Sequence, residues 1–353
     1  MNCDLKIGLI PFGDTSNPYQ ELTRRALIKK GCKVHVFPKS NFFPLIRASY
    51  SDIEILHIDW PHSFYIGKST IRTLLKKIMF KFQLKFLGPV KIVWTVHNLV
   101  THNTSGENDR ILGQLIEKSD ALVSLSRIGV KKIRERWEEA KNKIIWVVPH
   151  GHFIDWYNTD LSKNKAKKIL GIPEDARVGV LPGRLHPYKG IENLIPAFLQ
   201  IGGIRNWLIL AGKPLNEEYA AKLKKMINNN PYIILKDYFL PKKELEIVMA
   251  ASDFAVFPFK EIFNSGSVIL AMSYGLPIVA TMKGSIPELV PAEALFDAGD
   301  GSIDEIKSAL KHAYSCDSLK IRGNIAKQKL LKEHSWEIVS NRLVELYNRI
   351  ISI

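Results

Sequence analysis

A chain of 353 residues is too long for one ordinary core and suits two domains that each bury an apolar interior. Its 46% hydrophobic and 24% charged residues exclude a disordered chain, and a formal charge of +15 favours an anionic partner: nucleotide, nucleic acid or membrane surface. The scattered cysteines Cys3, Cys32 and Cys316 suit free thiols in a reducing compartment, so a cytoplasmic protein is expected. No N-terminal leader is read and no apolar stretch approaches the ~20 residues of a bilayer span, so any membrane contact is expected to be peripheral.

Short β-branched apolar runs alternate with longer amphipathic segments, as βαβ units require, and the alternation occurs twice. The first series places strands at 5–12, 33–37, 55–60, 91–98, 121–126 and 144–151. Between its first two strands, Asn17 before Pro18 and Gly31 after the last turn predict a helix over 18–30. Farther along, 67–89 has Leu74, Leu75, Ile78, Met79, Phe82 and Phe86 near helical spacing, with Lys68, Arg72, Lys76, Lys77, Lys81 and Lys85 and no acid. Such a helix either lies in the plane of an anionic membrane, with its apolar side chains in the headgroup boundary and Lys76, Lys77, Lys81 and Lys85 meeting lipid, or packs its apolar face on the sheet as an ordinary crossover; both hold if only its basic face and end meet lipid. The polar, lysine-rich stretch 156–172 reads as a connector. The second series places strands at 178–185, 207–213, 232–235, 254–259, 276–281 and 294–299, and the tail from Ser335 reads as one long helix. Near-continuous apolar strands indicate parallel sheets covered on both faces. The expected fold is therefore α/β, with two doubly wound Rossmann-like domains facing a cleft. The expected boundaries are 1–160, 161–334 and a C-terminal helix 335–353 crossing back to the first domain.

In open α/β sheets ligands gather beyond the carboxyl ends of the strands. There the loop GRLHPYKG, 183–190, carries Arg184 and Lys189, a planar fork of donors and a compact ammonium suited to the two phosphates of a diphosphate; a solvated basic loop is the other reading. The stretch Asn264, Ser265, Gly266, Ser267 stands between a strand end and a helix start, where unpaired N–H groups and the helix dipole meet an anion; an empty serine cap is the plainer alternative. His97 and His150 follow strands of the first series, as base or as partner to sugar or phosphate, or as structural histidines. Glu261 sits where a carboxylate could meet sugar hydroxyls. No P-loop, GxGxxG, HExxH, paired CxxC or Asp-x-Asp pattern is present.

GRLHPYKG, LILAGK, FPFKEIFNSGSVILAMSYGLPIVA, KGSIPELV and HSWEIVSNRLVELY together resemble the C-terminal half of GT-B glycosyltransferases of the family 4 type. TVHN and VVPHGHF are similar to that family's catalytic-histidine strand and interdomain segment. The resemblance implies a UDP- or GDP-sugar donor held mainly by the second domain and an acceptor held mainly by the first. It also implies no metal, because Arg184 and Lys189 do the cation's work. Its catalytic set would be His97, Arg184, Lys189 and Glu261, and its donor-binding set Gly13, His150, Gly183, Asn264, Ser265, Gly266 and Ser267. One departure stands out: the family's two glutamates, eight positions apart, fall here on Ile262 and Leu270, with Glu261 one residue out of register. The resulting expectation is a metal-independent hexosyltransferase acting on a cell-surface or exopolysaccharide acceptor, lipid-linked, at the inner face of the membrane. A sugar-nucleotide epimerase or phosphorylase of the same fold is a rival. A basic nucleic-acid-binding protein is another, although no such module is visible.

Overall fold

The computed structural model describes residues 4–13, 17–39, 43–99 and 106–353. Its strands are β1 (Lys6–Phe12), β2 (Lys33–Pro38), β3 (Ile55–Ile58), β4 (Lys91–Val96), β5 (Ala121–Ser124), β6 (Ile144–Val147), β7 (Arg177–Pro182), β8 (Asn206–Ala211), β9 (Ile233–Lys236), β10 (Phe254–Phe257), β11 (Ile278–Ala280) and β12 (Leu295–Asp297). They form two parallel six-stranded sheets, ordered β2-β1-β3-β4-β5-β6 and β12-β11-β10-β7-β8-β9. Every predicted run holds one strand. Strands such as ILHI, ALVS and FAVF are buried at every position, which only a sheet covered on both faces allows.

The chain divides into two compact units, Met1–Gly151 with His334–Ile353, and His152–Glu333. In the first, Ile7, Leu9, Val93 and Val123 pack with Leu27 and with Val339, Leu343, Leu346 and Tyr347 of the helix Trp336–Ile351. Ser335 caps that helix, accepting the Ile338 N–H. The predicted helix at 18–30 runs over Tyr19–Lys29, with Asn17 Oδ1 accepting the Tyr19 N–H and Gly31 N–H closing on Ile28 O. In the second unit, Leu181, Leu194, Phe198, Leu208, Phe254 and Leu310 form the core.

The connector is not one. Lys163–Ile169 is a helix packed on the helix Lys242–Ala251. Buried Lys167 donates to the carbonyls of Glu174 and Ala176, and Lys163 pairs with Asp253. Residues before it are held to the second unit as well: Phe153 N–H donates to Ser273 Oγ, and Asn158 N–H to Glu246. The expectation of free thiols needs a second correction, for Cys32 is disulfide-bonded while Cys316 is free. Cys3 lies outside the described residues. Among the described residues no helix is long and apolar enough to cross a membrane.

Candidate functional site

In the first unit β3 and β4 are neighbours in register, Ile58 opposite Trp94, which brings Asp59 beside His97 just beyond the strand ends. His97 Nε2 lies 2.8 Å from Asp59 Oδ1, and Gln20 Nε2 donates to Asp59 Oδ2 at 2.8 Å. Trp60 stacks on the His97 ring at 4.3 Å and Tyr19 meets it edge-on at 5.0 Å. Burial pushes the Asp59 carboxyl up, but hydrogen bonds from His97 and Gln20 and the neighbouring imidazoles outweigh it and hold the carboxyl below its usual range. An ionised Asp59 keeps the proton of a neutral His97 on Nε2 and its lone pair on Nδ1. His57, one layer deeper, bonds Thr95 through Nε2 and the Tyr347 hydroxyl through Nδ1.

His150, expected to help hold the donor, is buried against Tyr19, with ring centroids 4.8 Å apart, and bonds Gly151 O through Nδ1. Burial lowers its pKa to about 3, so the ring is neutral at physiological pH. Gly13 follows β1 with a φ of +107° and open space around it.

In the second unit β7 pairs with β10, so the loops after these strands are neighbours. Lys189 ends the short turn Pro187–Lys189 and turns inward: its Nζ donates to Pro182 O at 2.7 Å and stands 3.5 Å from Ser267 Oγ. Burial lowers its pKa to about 7. Gly183, at φ +87°, admits this approach, because a Cβ there would stand 2.5 Å from Ser267 Oγ and 3.1 Å from Lys189 Nζ. Ser265 caps the helix Gly266–Ser273, its Oγ accepting the Val268 N–H. The serine cap is present, and the helix N-terminus it closes sits beside a buried lysine. Arg184 is exposed on the same loop as Lys189, Asn264 is half-buried, and Glu261 is exposed on the loop after β10. Ile262 is half-buried, and Leu270 is buried inside the helix.

Sequence reasoning missed Asp59, Trp60 and Gln20. It also missed a cavity of about 570 Å³ beyond the ends of β8 and β9, walled by Lys213, Leu215, Glu217, Lys224, Tyr238 and Phe239. Two consecutive aromatics one residue after a strand were the available signal; Tyr238 and Phe239 are 42% and 57% exposed, unusual for their size.

The basic helix of the first unit spans Thr70–Lys85. Of the four lysines expected at lipid, Lys76 donates to the carbonyls of Ser63 and Ile66, and buried Lys77 pairs with Glu107 at 2.7 Å. Lys81 and Lys85 are exposed.

Residues 176–315 match the family described as Glycosyl transferases group 1. The GDP-mannose:glycolipid 4-beta-D-mannosyltransferase of Xanthomonas campestris pv. campestris is 24% identical over 289 residues, 76% of each chain. The D-inositol 3-phosphate glycosyltransferase of Corynebacterium glutamicum is 25% identical over 327 residues, 86% of this chain and 75% of that one. Sucrose-phosphate synthase from Thermosynechococcus elongatus superposes with a TM-score of 0.77 over 99% of both chains at 17% identity. HepE of Anabaena superposes with a TM-score of 0.72 over 98% of this chain and 100% of its own, at 16% identity. With two parallel six-stranded sheets and a group 1 domain over 176–315, the chain is a glycosyltransferase of the GT-B fold.

Proposed function

We propose that this glycosyltransferase moves a hexose from a UDP- or GDP-sugar to a lipid-linked acceptor of cell-surface or exopolysaccharide synthesis, as a peripheral enzyme on the cytoplasmic face of the membrane, without a metal. The observation that carries the donor reading is the meeting of Gly183, Lys189 and Ser267 beside the N-terminus of the helix Gly266–Ser273. A buried ammonium, a hydroxyl and a helix start converge where a diphosphate would lie, and exposed Arg184 adds a second cation. In the reaction the bond from the sugar's anomeric carbon to the diphosphate oxygen breaks and its electron pair stays with the diphosphate. The cations stabilise that growing charge, which is the work a metal would otherwise do. An acceptor hydroxyl oxygen forms the new bond to the anomeric carbon as its O–H bond breaks, the proton passing to His97, which Asp59 orients in the first unit.

The cavity beyond β8 and β9 suits the nucleobase, with Tyr238 and Phe239 as apolar surface. Ile262 and Leu270 replace the two glutamates of the resembled motif, so the ribose hydroxyls fall to another acceptor, and Glu217 on the cavity wall is the carboxylate at hand. The names of the relatives support the donor and acceptor classes: one is a GDP-mannose:glycolipid transferase, and HepE was crystallised with UDP and glucose. A thermal-shift panel of UDP, GDP, ADP and their sugars tests the reading. The matching nucleotide at a hundred times its dissociation constant adds ~2.7 kcal/mol of stability. No shift with any of them, or turnover abolished by EDTA, would overturn the donor reading or its metal-free form respectively.

A further inference from the structure

The helix Thr70–Lys85 is turned the opposite way from the expectation of an apolar inner face. Ile71, Leu74, Leu75, Ile78 and Phe82, and Phe86 at its C-cap, are 74%, 55%, 55%, 57%, 47% and 47% exposed, whereas Lys77 and Gln83 are buried. At 3.6 residues per turn these six apolar side chains fall within an arc of about 120°, a continuous stripe facing outward.

Polar tethers fix this orientation. Gln83 Oε1 accepts the Leu45 N–H at 2.9 Å, satisfying a donor in the first turn of the helix Pro44–Ser49. Lys76 donates to two carbonyls and Lys77 to Glu107. Phe80 and Leu84 complete the inner face. Lys76, Lys77 and Gln83, polar groups a surface helix normally shows to water, are therefore engaged inside, and the large apolar groups are left outside. Isolated exposed apolar residues need no explanation, but a stripe of six on one helix does.

The surroundings of the stripe select its occupant. The helix contains no Asp or Glu, Arg72, Lys81 and Lys85 are exposed beside the apolar residues, with Lys81 3.9 Å from Glu107, and Arg47 and Tyr50 are exposed on and after the helix Pro44–Ser49, which packs against it. Phe43 lies 5.7 Å from Phe82. A second copy docked face to face would set these cations against their own counterparts, on a chain already carrying +15. An anionic bilayer satisfies both features at once.

We infer that the face formed by Ile71, Leu74, Leu75, Ile78, Phe82 and Phe86 enters the headgroup–acyl boundary of an anionic membrane, with Arg72, Lys81 and Lys85 meeting lipid phosphates. The inference deepens the peripheral placement proposed above and keeps the apolar insertion that the membrane reading of the sequence expects, but it removes Lys76 and Lys77 from the lipid contacts: insertion of apolar side chains holds the protein, and the remaining cations select the lipid. Binding therefore weakens in high salt without vanishing, because only the electrostatic share is screened.

The experiment is sedimentation of the full chain with vesicles of phosphatidylcholine alone and of phosphatidylcholine mixed with phosphatidylglycerol. Wild type is expected to pellet with the mixed vesicles and to retain measurable binding in high salt. The triple variant Leu74→Ser, Leu75→Ser, Ile78→Ser is expected to lose roughly tenfold or more in partition, from lost apolar insertion. Lys81→Gln with Lys85→Gln is expected to lose the preference for phosphatidylglycerol while retaining the salt-resistant part. Because all five positions are exposed, unchanged melting and calorimetric binding of the matching nucleotide should accompany these losses, which separates failure of the lipid face from failure of the donor reading. Vesicle binding by the serine variant equal to wild type would overturn the inference. So would the absence of wild-type binding, or self-association in sedimentation equilibrium that the serine substitutions abolish without any lipid effect.

Discussion

Both units set loops beyond the carboxyl ends of six parallel strands, but they furnish those ends with different chemistry. In the first, the strand ends carry Asp59, Trp60 and His97, with Tyr19 and His150 packed beside them: rings in contact, one carboxylate, and histidines that burial keeps neutral in the cases of His57 and His150. In the second, the equivalent ends carry Gly183, Lys189 and Ser267 at a helix N-terminus: small residues, a hydroxyl and a buried lysine amine. One architecture thus offers an aromatic-walled hydrogen-bonding site suited to sugar hydroxyls and a cationic notch suited to phosphate. Burial acts on both, lowering the pKa of His150 to about 3 and of Lys189 to about 7. The histidine is neutral at physiological pH, while the lysine is poised to take up charge when an anion arrives.

The comparison breaks first at the cationic notch. Arg184→Ala and Lys189→Ala are each expected to lower turnover by roughly two orders of magnitude, the loss typical of removing one group that stabilises developing charge. Arg184 is exposed, so its variant should melt like wild type; Lys189→Met, which keeps the buried volume, controls for packing at the other position. Turnover within a few-fold of wild type would remove the diphosphate role. At the first site, His97→Ala is expected to cut transfer by roughly one to two orders of magnitude while nucleotide affinity by calorimetry stays unchanged. Asp59→Asn should reproduce most of that loss, since an amide can present either a donor or an acceptor to His97 Nε2 and no longer fixes the tautomer.

Much of this contrast was legible before any coordinates. The inner strands announce themselves because strands buried on both faces leave no room for polar alternation, whereas β2, exposed or half-buried throughout, was read from its β-branched run alone. Gly183 and Lys189 could be read because they lie in the loop after an apolar run, and Ser267 because it opens the next helix after a strand end. Asp59 could not, because its tie to His97 depends on β3 lying next to β4, a pairing across the chain. Lysine content disguised the helix Lys163–Ile169, whose Lys167 ammonium goes to backbone carbonyls. For Thr70–Lys85, spacing revealed two faces but not which one turns inward, a choice made by Glu107 and by the Leu45 N–H, both distant in sequence.

A subtler test of the contrast is the pH dependence of nucleotide binding. With Lys189 titrating at about 7 in the free protein, a diphosphate that binds the ammonium form must drive a proton on at higher pH. Affinity for the matching nucleoside diphosphate is therefore expected to be flat below pH 7 and to fall above it, approaching about tenfold per pH unit. Lys189→Arg, charged throughout, should flatten the profile. A wild-type profile flat up to roughly pH 9 would show that Lys189 holds its proton without ligand.

The smallest effect is expected in the stability of the first unit. His150 takes up a proton at about 3 in the folded chain, against 6.5 when unperturbed, so between those values the unfolded state binds the extra proton. Stability attributable to His150 is then fully present above 6.5 and is lost as the pH falls toward 3, with a slope of at most about 1.4 kcal/mol per pH unit. His57, also lowered by burial, contributes in the same direction, and carboxylates add their own acid sensitivity. The informative quantity is therefore a difference: the melting temperature of the full chain should fall less steeply for His150→Asn than for wild type from roughly pH 6.5 down to pH 4.5. Parallel curves would mean that His150 is protonated in the folded state, and that the first site is not the neutral counterpart of the second.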